Sequence, residues 1–229
     1  MSPISLSEVE GIIFDLDDTL IDSSSGYVAA LREVGIAPDS SDYLLSKKIV
    51  KSRLGNSHPN SHNRLLYFKE WLTIQNSFTP RRLLEIMEAY ESKLTDYIAE
   101  QWDSLGRDEL FSILVERRIA MVVLTNENLR TQLLKMRAID PEGKYFRAIV
   151  TSEEVGYEKP HFSMFEAALK TMVGTKLKCL MIGDDEHTDL APAEKLGLTP
   201  ILTVEFNKMT TLQTTAYPVV DKLTQILEF

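Results

Sequence analysis

A short apolar run that stops at two closely spaced carboxylates constrains this chain more than any other feature. Residues 11–14 are continuously apolar and too few for a helix, which is typical of a strand buried on both faces of a parallel sheet. Asp15 would then lie at the carboxyl end of the strand, and Asp17 would point to the same side of the chain. Ligands of open α/β sheets bind at this edge, so we expect both carboxylates to face one small site.

From about residue 104 onward, short apolar runs alternate with amphipathic segments, which is the pattern of βαβ units around a parallel sheet. The predicted strands are residues 119–125, 146–151, 180–182 and 200–204, followed by a short edge strand at 217–220. The predicted helices are residues 108–118, 128–138, 188–196 and 221–227, together with a helix that begins at Pro160. We therefore predict an α/β fold with a Rossmann-like three-layer core and a central parallel sheet.

The segment from about residue 22 to residue 100 has helical periodicity but no convincing buried strand. Its predicted helices are residues 25–34, 42–54, 63–75 and 80–100. Because the first strand precedes this segment and the other strands follow it, the segment must leave and rejoin the core. We expect residues 1–20 and 101–229 to form the α/β core domain, and residues 21–100 to form a helical cap domain beside the carboxyl ends of the strands.

The composition limits the classes of function. The chain has 229 residues, of which 44% are apolar and 26% charged, which matches soluble domains and allows one domain with an insertion or two small ones. A formal net charge of -9 argues against nonspecific binding to nucleic acid or to acidic membrane surfaces. Neither a secretion signal nor a membrane-spanning apolar run is recognisable, so we expect a cytoplasmic location.

Polar side chains also follow the later strands. They supply a hydroxyl, an amide, a lysine and an acidic cluster, namely Thr125, Asn126, Lys159, Asp184, Asp185 and Asp189. Because parallel strands end at the same edge of a sheet, we expect these groups to join Asp15 and Asp17 in one site.

The residue types in this site favour phosphoryl transfer. Several carboxylates at one edge repel one another unless a cation lies among them, and a set of oxygen ligands favours Mg²⁺. Asp15 could then attack phosphorus and form an aspartyl-phosphate. Asp17 could protonate the leaving oxygen and later remove a proton from the attacking water. Lys159 and the Thr125 hydroxyl would hold the phosphoryl oxygens in the transition state.

In order and spacing, these segments resemble the four motifs of the haloacid dehalogenase superfamily of hydrolases. Residues 15–19 resemble the first motif, residues 125–126 the second, residues 159–160 the third, and residues 183–184 with Asp189 the fourth. The helical insertion between the first and second motifs is similar to the helical cap of that family.

The resemblance implies a role for each motif residue. Asp15 would be the nucleophile and Asp17 the acid/base, with Thr125, Asn126 and Lys159 on the phosphate. The Mg²⁺ contacts would come from Asp15, from the backbone carbonyl of Asp17, and from Asp184. Either Asp185 or Asp189 would support the lysine or the metal.

The residue two positions after the nucleophile separates reaction classes in the family. Dehalogenases and phosphonate hydrolases of similar sequence lack an aspartate there, so Asp17 favours phosphate esters. We therefore expect a magnesium-dependent phosphatase that acts on a small phosphorylated metabolite. A phosphosugar mutase of the same family, and a catalytically silent binding or regulatory protein on the same fold, are the alternatives.

Two features of the predicted cap have a structural and a functional interpretation. The basic stretch of residues 47–53 is interpreted as a solvated helix face, with contact to an acidic substrate as the alternative. Tyr67, Phe68 and Trp71 are expected in the cap core or at its contact with the main domain, with substrate stacking as the alternative.

Overall fold

The computed structural model describes residues 5–55, 58–172, 178–206 and 215–229. Its centre is a six-stranded sheet with the strand order β3-β2-β1-β4-β5-β6, and all the strand pairings are parallel. The strands are β1 (Gly11–Phe14), β2 (Ala120–Thr125), β3 (Ala148–Thr151), β4 (Cys179–Gly183), β5 (Thr199–Thr203) and β6 (Val219–Val220). Because β1 lies between β2 and β4, the strand order reverses beside it, and a crevice is expected at its carboxyl end.

Successive residues of β1 face opposite layers. Ile12 and Phe14 belong to one apolar cluster, whereas Ile13 belongs to another on the opposite side of the sheet. The core helices are α5 (Arg107–Glu116), α6 (Leu129–Ile139), α7 (Ser152–Val155), α8 (Phe162–Thr171) and α9 (Ala191–Lys195). Because β1 is buried between two apolar layers, it is apolar at every position. The sheet with a layer of helices on each face confirms the predicted three-layer α/β core.

Four helices lie between β1 and α5: α1 (Ser23–Glu33), α2 (Ser41–Leu54), α3 (Arg64–Ile74) and α4 (Pro80–Ser104). The first of them packs on α4, and α2 packs on α3. The long α4 also packs on α6 of the core and extends beyond residue 100. Tyr67, Phe68 and Trp71 are buried among these helices.

Some elements differ from the sequence prediction because side chains take over backbone hydrogen bonds. The helix predicted from Pro160 begins at Phe162, after the N-cap residue His161. The helix predicted at 188–196 is instead a π-helical turn, Glu186–Leu190, followed by the short α9. The Asp185 carboxylate accepts the first free N–H groups of that turn.

The chain end also differs from the prediction. The segment Leu223–Glu228 is a 3₁₀ helix, and the Gln225 side chain accepts the N–H groups of Asp221 and Lys222 before it. In the described part of the chain, no helix combines the length and the apolar character needed to cross a membrane.

Candidate active site

A tight turn after β1 fixes the direction of the chain at the site. The Asp15 N–H donates to the carbonyl of Ile182, which extends the ladder with β4 by one residue. Asp18 then adopts a positive φ of 60°, which aspartate tolerates better than most residues. Its carboxylate accepts hydrogen bonds from the Ser24 N–H at 2.9 Å and from the Ser23 hydroxyl at 3.1 Å. The turn and the start of α1 are therefore held by one side chain.

Lys159 lies between two carboxylates. Its ammonium group donates to the Asp15 carboxylate and, at 2.7 Å, to Asp189. All three residues are buried. Asn126 holds the lysine backbone, because its Oδ1 accepts the Lys159 N–H at 2.7 Å and its Nδ2 donates to the Lys159 carbonyl at 3.2 Å. The loop after β2 therefore positions the lysine that follows β3.

Asp184 completes an acidic cluster with Asp15 and Asp189. One oxygen from each carboxylate lies within 4.8 Å of the others. Burial raises the pKa of Asp15 well above its ordinary value although Lys159 opposes the shift. Burial and the negative charge of Asp189 raise the pKa of Asp184 to about 7. If all three carboxylates were ionised, they would carry more negative charge than Lys159 alone balances.

The structure distinguishes the two aspartates whose supporting roles the sequence left open. Asp189 is buried within the cluster and contacts Lys159. Asp185 is exposed, and its carboxylate accepts the N–H groups of His187 and Thr188, each at 2.8 Å. The geometry therefore favours Asp189 as the partner of the lysine, and it gives Asp185 a capping contact.

Asp17 lies in a separate network. Its carboxylate accepts hydrogen bonds from Lys135 at 2.5 Å, from Gln132 at 2.8 Å and from the Tyr27 hydroxyl at 3.2 Å. Lys135 also donates to the Tyr27 hydroxyl at 2.6 Å, and Gln132 also donates to the Thr125 hydroxyl at 2.7 Å. Burial alone would raise the pKa of Asp17, but Lys135 and Gln132 hold it below the ordinary value.

Sequence reasoning missed Tyr27, Gln132 and Lys135. A signal was nevertheless present in α6, because the helical spacing places Gln132 and Lys135 on the same face as Met136 and Ile139. All four of these residues are buried. A glutamine and a lysine at core positions of an amphipathic helix need polar partners, and here the partners are Asp17 and Thr125.

A cavity of ≈ 220 Å³ opens at this edge of the sheet. Its lining contains all eight residues that the sequence nominated, together with Thr188: Asp15, Asp17, Thr125, Asn126, Lys159, Asp184, Asp185 and Asp189. The cavity is smaller than most pockets for drug-sized ligands, which suits a compact group such as a phosphoryl group. The individual roles of the residues stay predictions.

Comparisons with known proteins show the family. A profile of the haloacid dehalogenase-like hydrolases matches residues 9–197. Ribulose-1,5-bisphosphate 5-phosphatase of Halopiger xanaduensis is 31% identical over 203 residues, which are 83% of each chain. N-acylneuraminate-9-phosphatase of Mus musculus is 27% identical over 231 residues, covering 94% of this chain and 89% of the mouse protein. This chain therefore belongs to the haloacid dehalogenase-like hydrolases.

A solved structure supports the fold independently. The crystal structure of 2-haloacid dehalogenase from Pseudomonas syringae superposes with a TM-score of 0.69 at 18% identity, and the match covers 96% of this chain and 97% of the dehalogenase. At this identity the similarity shows the shared fold.

Proposed function

We propose that this chain is a magnesium-dependent phosphatase that hydrolyses a small phosphorylated metabolite through an aspartyl-phosphate. One observation carries the proposal: Asp15 and Asp17 are two residues apart but lie in opposite electrostatic environments. Asp15 belongs to the acidic cluster beside Lys159, whereas Asp17 is paired with Lys135. The separation leaves Asp15 beside the groups that would bind the cation and the phosphoryl oxygens, and it keeps the Asp17 side chain apart from them as a group that can exchange a proton. The phosphatase names of the two relatives support the same reaction.

In the proposed first step, an Asp15 oxygen forms a bond to phosphorus, and the bond from phosphorus to the substrate oxygen breaks. Asp17 supplies the proton that the leaving alkoxide needs. The ionised Asp17 can take up that proton from solvent water beforehand, because burial and the approaching phosphoryl charge both favour its neutral form. In later cycles the proton is the one that Asp17 accepts from the attacking water. In the second step, water attacks phosphorus, Asp17 accepts a proton from the water, and the bond from Asp15 to phosphorus breaks, which releases inorganic phosphate.

Lys159 and Thr125 are proposed to bind the phosphoryl oxygens. Lys159 is held by the backbone contacts of Asn126, and Thr125 is held by Gln132. Groups fixed in advance stabilise developing charge without reorganising during the reaction. Residues 21–100 are proposed to act as a cap that shields this edge of the sheet from bulk water.

The acidic cluster fits Mg²⁺. Its donors are carboxylate oxygens, which this cation prefers. Burial and the neighbouring carboxylates raise the pKa values of Asp15 and Asp184, so a bound cation would favour their ionised forms. Asp15 and Asp184, together with the carbonyl of Asp17, are proposed to hold the ion. When bound, Mg²⁺ would neutralise part of the charge on the carboxylates and on the phosphoryl group.

The proposal is tested by measuring inorganic phosphate release from para-nitrophenyl phosphate and from a panel of sugar phosphates, with Mg²⁺ and with a chelator. We expect release that needs Mg²⁺ and that is lost in Asp15→Asn. Asp185→Asn is the matched control, because Asp185 lines the cavity but contacts backbone groups. Release that persists in Asp15→Asn would overturn the nucleophilic role. Interconversion of isomers with little phosphate release would indicate a mutase instead.

A further inference from the structure

The Nε2 atom of Gln132 connects two groups of the proposed active site. It donates to the Asp17 carboxylate at 2.8 Å and to the Thr125 hydroxyl at 2.7 Å. An amide nitrogen carries two protons, so each acceptor receives one of them. Asp17 follows β1 and Thr125 ends β2, and both line the cavity, whereas Gln132 lies outside its lining. One buried side chain of α6 therefore contacts two neighbouring strand ends.

The surroundings of Asp17 decide the direction in which this amide points. An ionised carboxylate only accepts hydrogen bonds, and the Asp17 carboxylate also accepts from Lys135 at 2.5 Å and from the Tyr27 hydroxyl at 3.2 Å. The reversed amide would place its oxygen against this carboxylate. The nitrogen of Gln132 is therefore directed at the site, and its oxygen lies on the opposite side of the amide.

The oxygen of this amide has a cost for the fold. Among the residues that the structure describes, no group donates a hydrogen bond to the Gln132 Oε1 atom, which is buried. A buried carbonyl oxygen without a partner is unfavourable. Met136 and Ile139 occupy the same buried face of α6, where an apolar side chain would avoid this cost. A glutamine at this position is thus better explained by the two contacts of its nitrogen than by stability.

The same contact determines what the Thr125 hydroxyl can do. A hydroxyl can donate its own proton while its oxygen accepts another, and here the oxygen accepts from Gln132. Within the described parts of the chain, the Thr125 hydroxyl donates to no protein group. Its proton is therefore available to a phosphoryl oxygen in the cavity, whereas a reversed amide would accept that proton and withdraw it from the substrate.

We propose that Gln132 is a positioning residue that aims the Thr125 hydroxyl at the phosphoryl group and holds the Asp17 carboxylate in a fixed place beside it. This inference rests on the proposed phosphatase function, and it adds a residue that acts through two others without touching the substrate. Phosphate binding at the end of β2 and proton transfer after β1 then share one support. Groups that are oriented before the reaction stabilise the transition state without reorganising, and small misplacements are costly.

The contribution through Thr125 is tested with para-nitrophenyl phosphate, because kcat/KM for this ester reports the first step and its leaving group needs little protonation. Gln132→Met should lower kcat/KM by about tenfold, which is the range of one oriented hydrogen bond. Gln132→Glu offers at most one proton in place of two, so it should lower kcat/KM at least as much. In a Thr125→Val background, Gln132→Met should cost less than about threefold, because the hydroxyl that Gln132 orients is absent.

The contribution through Asp17 is tested with an alkyl ester, glycerol 3-phosphate, whose leaving alkoxide needs the proton. The ratio of kcat/KM for para-nitrophenyl phosphate to kcat/KM for glycerol 3-phosphate should rise by about fivefold or more in Gln132→Met. Thr125→Val should change this ratio less, because it weakens contact with the phosphoryl group of both esters. An unchanged ratio in Gln132→Met, or a loss that is equally large with and without the Thr125 hydroxyl, would overturn the proposal.

Gln101→Met is the matched control. Gln101 lies on α4 and accepts the Asp22 N–H at 2.7 Å, apart from the cavity lining. This variant should keep both kcat/KM values within about twofold of the wild type. If circular dichroism shows that Gln132→Met folds poorly, Gln132→Glu carries the same comparisons, because its side chain matches glutamine in shape.

A failure of the phosphatase function would look different. The wild type would then release no phosphate from any ester, and the role at Thr125 is tested by calorimetric titration with inorganic phosphate in the presence of Mg²⁺. Gln132→Glu should bind phosphate about tenfold more weakly than the wild type, and Gln101→Met should bind it equally well. Equal binding by Gln132→Glu, or a wild type that binds no phosphate, would refute the positioning role.

Discussion

Lys135→Met would remove the buried ammonium group that faces Asp17 while keeping a side chain of similar length. Lys135 is fully buried and the Asp17 side chain is 24% exposed. Breaking a buried ion pair by removing one partner costs about 3–5 kcal/mol. Asp17 keeps its contacts with Gln132 and Tyr27, and its partial exposure screens the remaining charge. We therefore expect the lower end, about 3 kcal/mol of unfolding free energy near neutral pH.

The loss should depend on pH, and its sign follows from the pKa of Asp17. In the wild type the pKa of Asp17 is lower in the folded protein than in the unfolded chain, where it is about 3.9. Ionised Asp17 therefore stabilises the fold fully above about pH 3.9, and this stabilisation is lost as the pH falls through the pKa of the folded state. Without Lys135, burial should raise the pKa of Asp17, so that ionisation destabilises the variant as the pH rises. The difference between the two proteins should therefore be larger at about pH 8 than at about pH 5.

Urea unfolding at the two pH values measures this difference, with Lys178→Met as the control because Lys178 pairs with Glu8 on the surface. Asp17→Asn combined with Lys135→Met should be less destabilised than the sum of the single variants, because removing both partners leaves no buried charge. A pH-independent loss, or a loss below about 1 kcal/mol, would refute the reasoning about the buried pair.

Two further predictions concern the acidic cluster. In Gly183→Ala, the added Cβ would lie 2.6 Å from the Cβ of Asp189, so we expect a loss of about 1–3 kcal/mol and slower phosphate release because Lys159 loses its partner. Gly11→Ala, whose Cβ meets movable sulfur atoms at 3.0 Å, should keep the rate; equal rate losses in both variants would contradict this account. Mg²⁺ should raise the melting temperature more at about pH 8 than at about pH 5. The pKa of Asp184 is about 7, so the ionisation of Asp184 destabilises the metal-free fold as the pH rises from about 4 to about 7. Equal shifts at both pH values, or a shift that survives in Asp184→Asn, would count against that carboxylate as a ligand.

The carboxylates at the strand ends could be found from the sequence because their positions follow from local rules. A buried parallel strand is apolar at every position, as in residues 11–14, and its end is marked by the first polar side chain, Asp15. Parallel topology then brings Thr125, Lys159 and Asp184 to the same edge without further information. The cavity lining agrees with this reasoning.

The groups that hold Asp17 could not be found by the same rules. The spacing of α6 places Lys135 on a face with Met136 and Ile139 and so indicates burial, but only the packing of the helix shows that its partner is Asp17. The two faces of α2 are a similar case: Lys47 is half-buried and Arg53 is exposed, and this difference depends on where α3 packs. The turn Glu186–Leu190 depends on the competition of the Asp185 side chain for backbone N–H groups.

The most direct test of the proposed mechanism is mass spectrometry of the protein quenched with acid during turnover of para-nitrophenyl phosphate. The peptide that contains Asp15 should carry one phosphoryl group, and the modified fraction should increase in Asp17→Asn. The good leaving group lets the first step proceed in that variant, while hydrolysis of the intermediate lacks its base. Phosphate release without any modified Asp15 peptide, or with the phosphoryl group on another residue, would contradict the account.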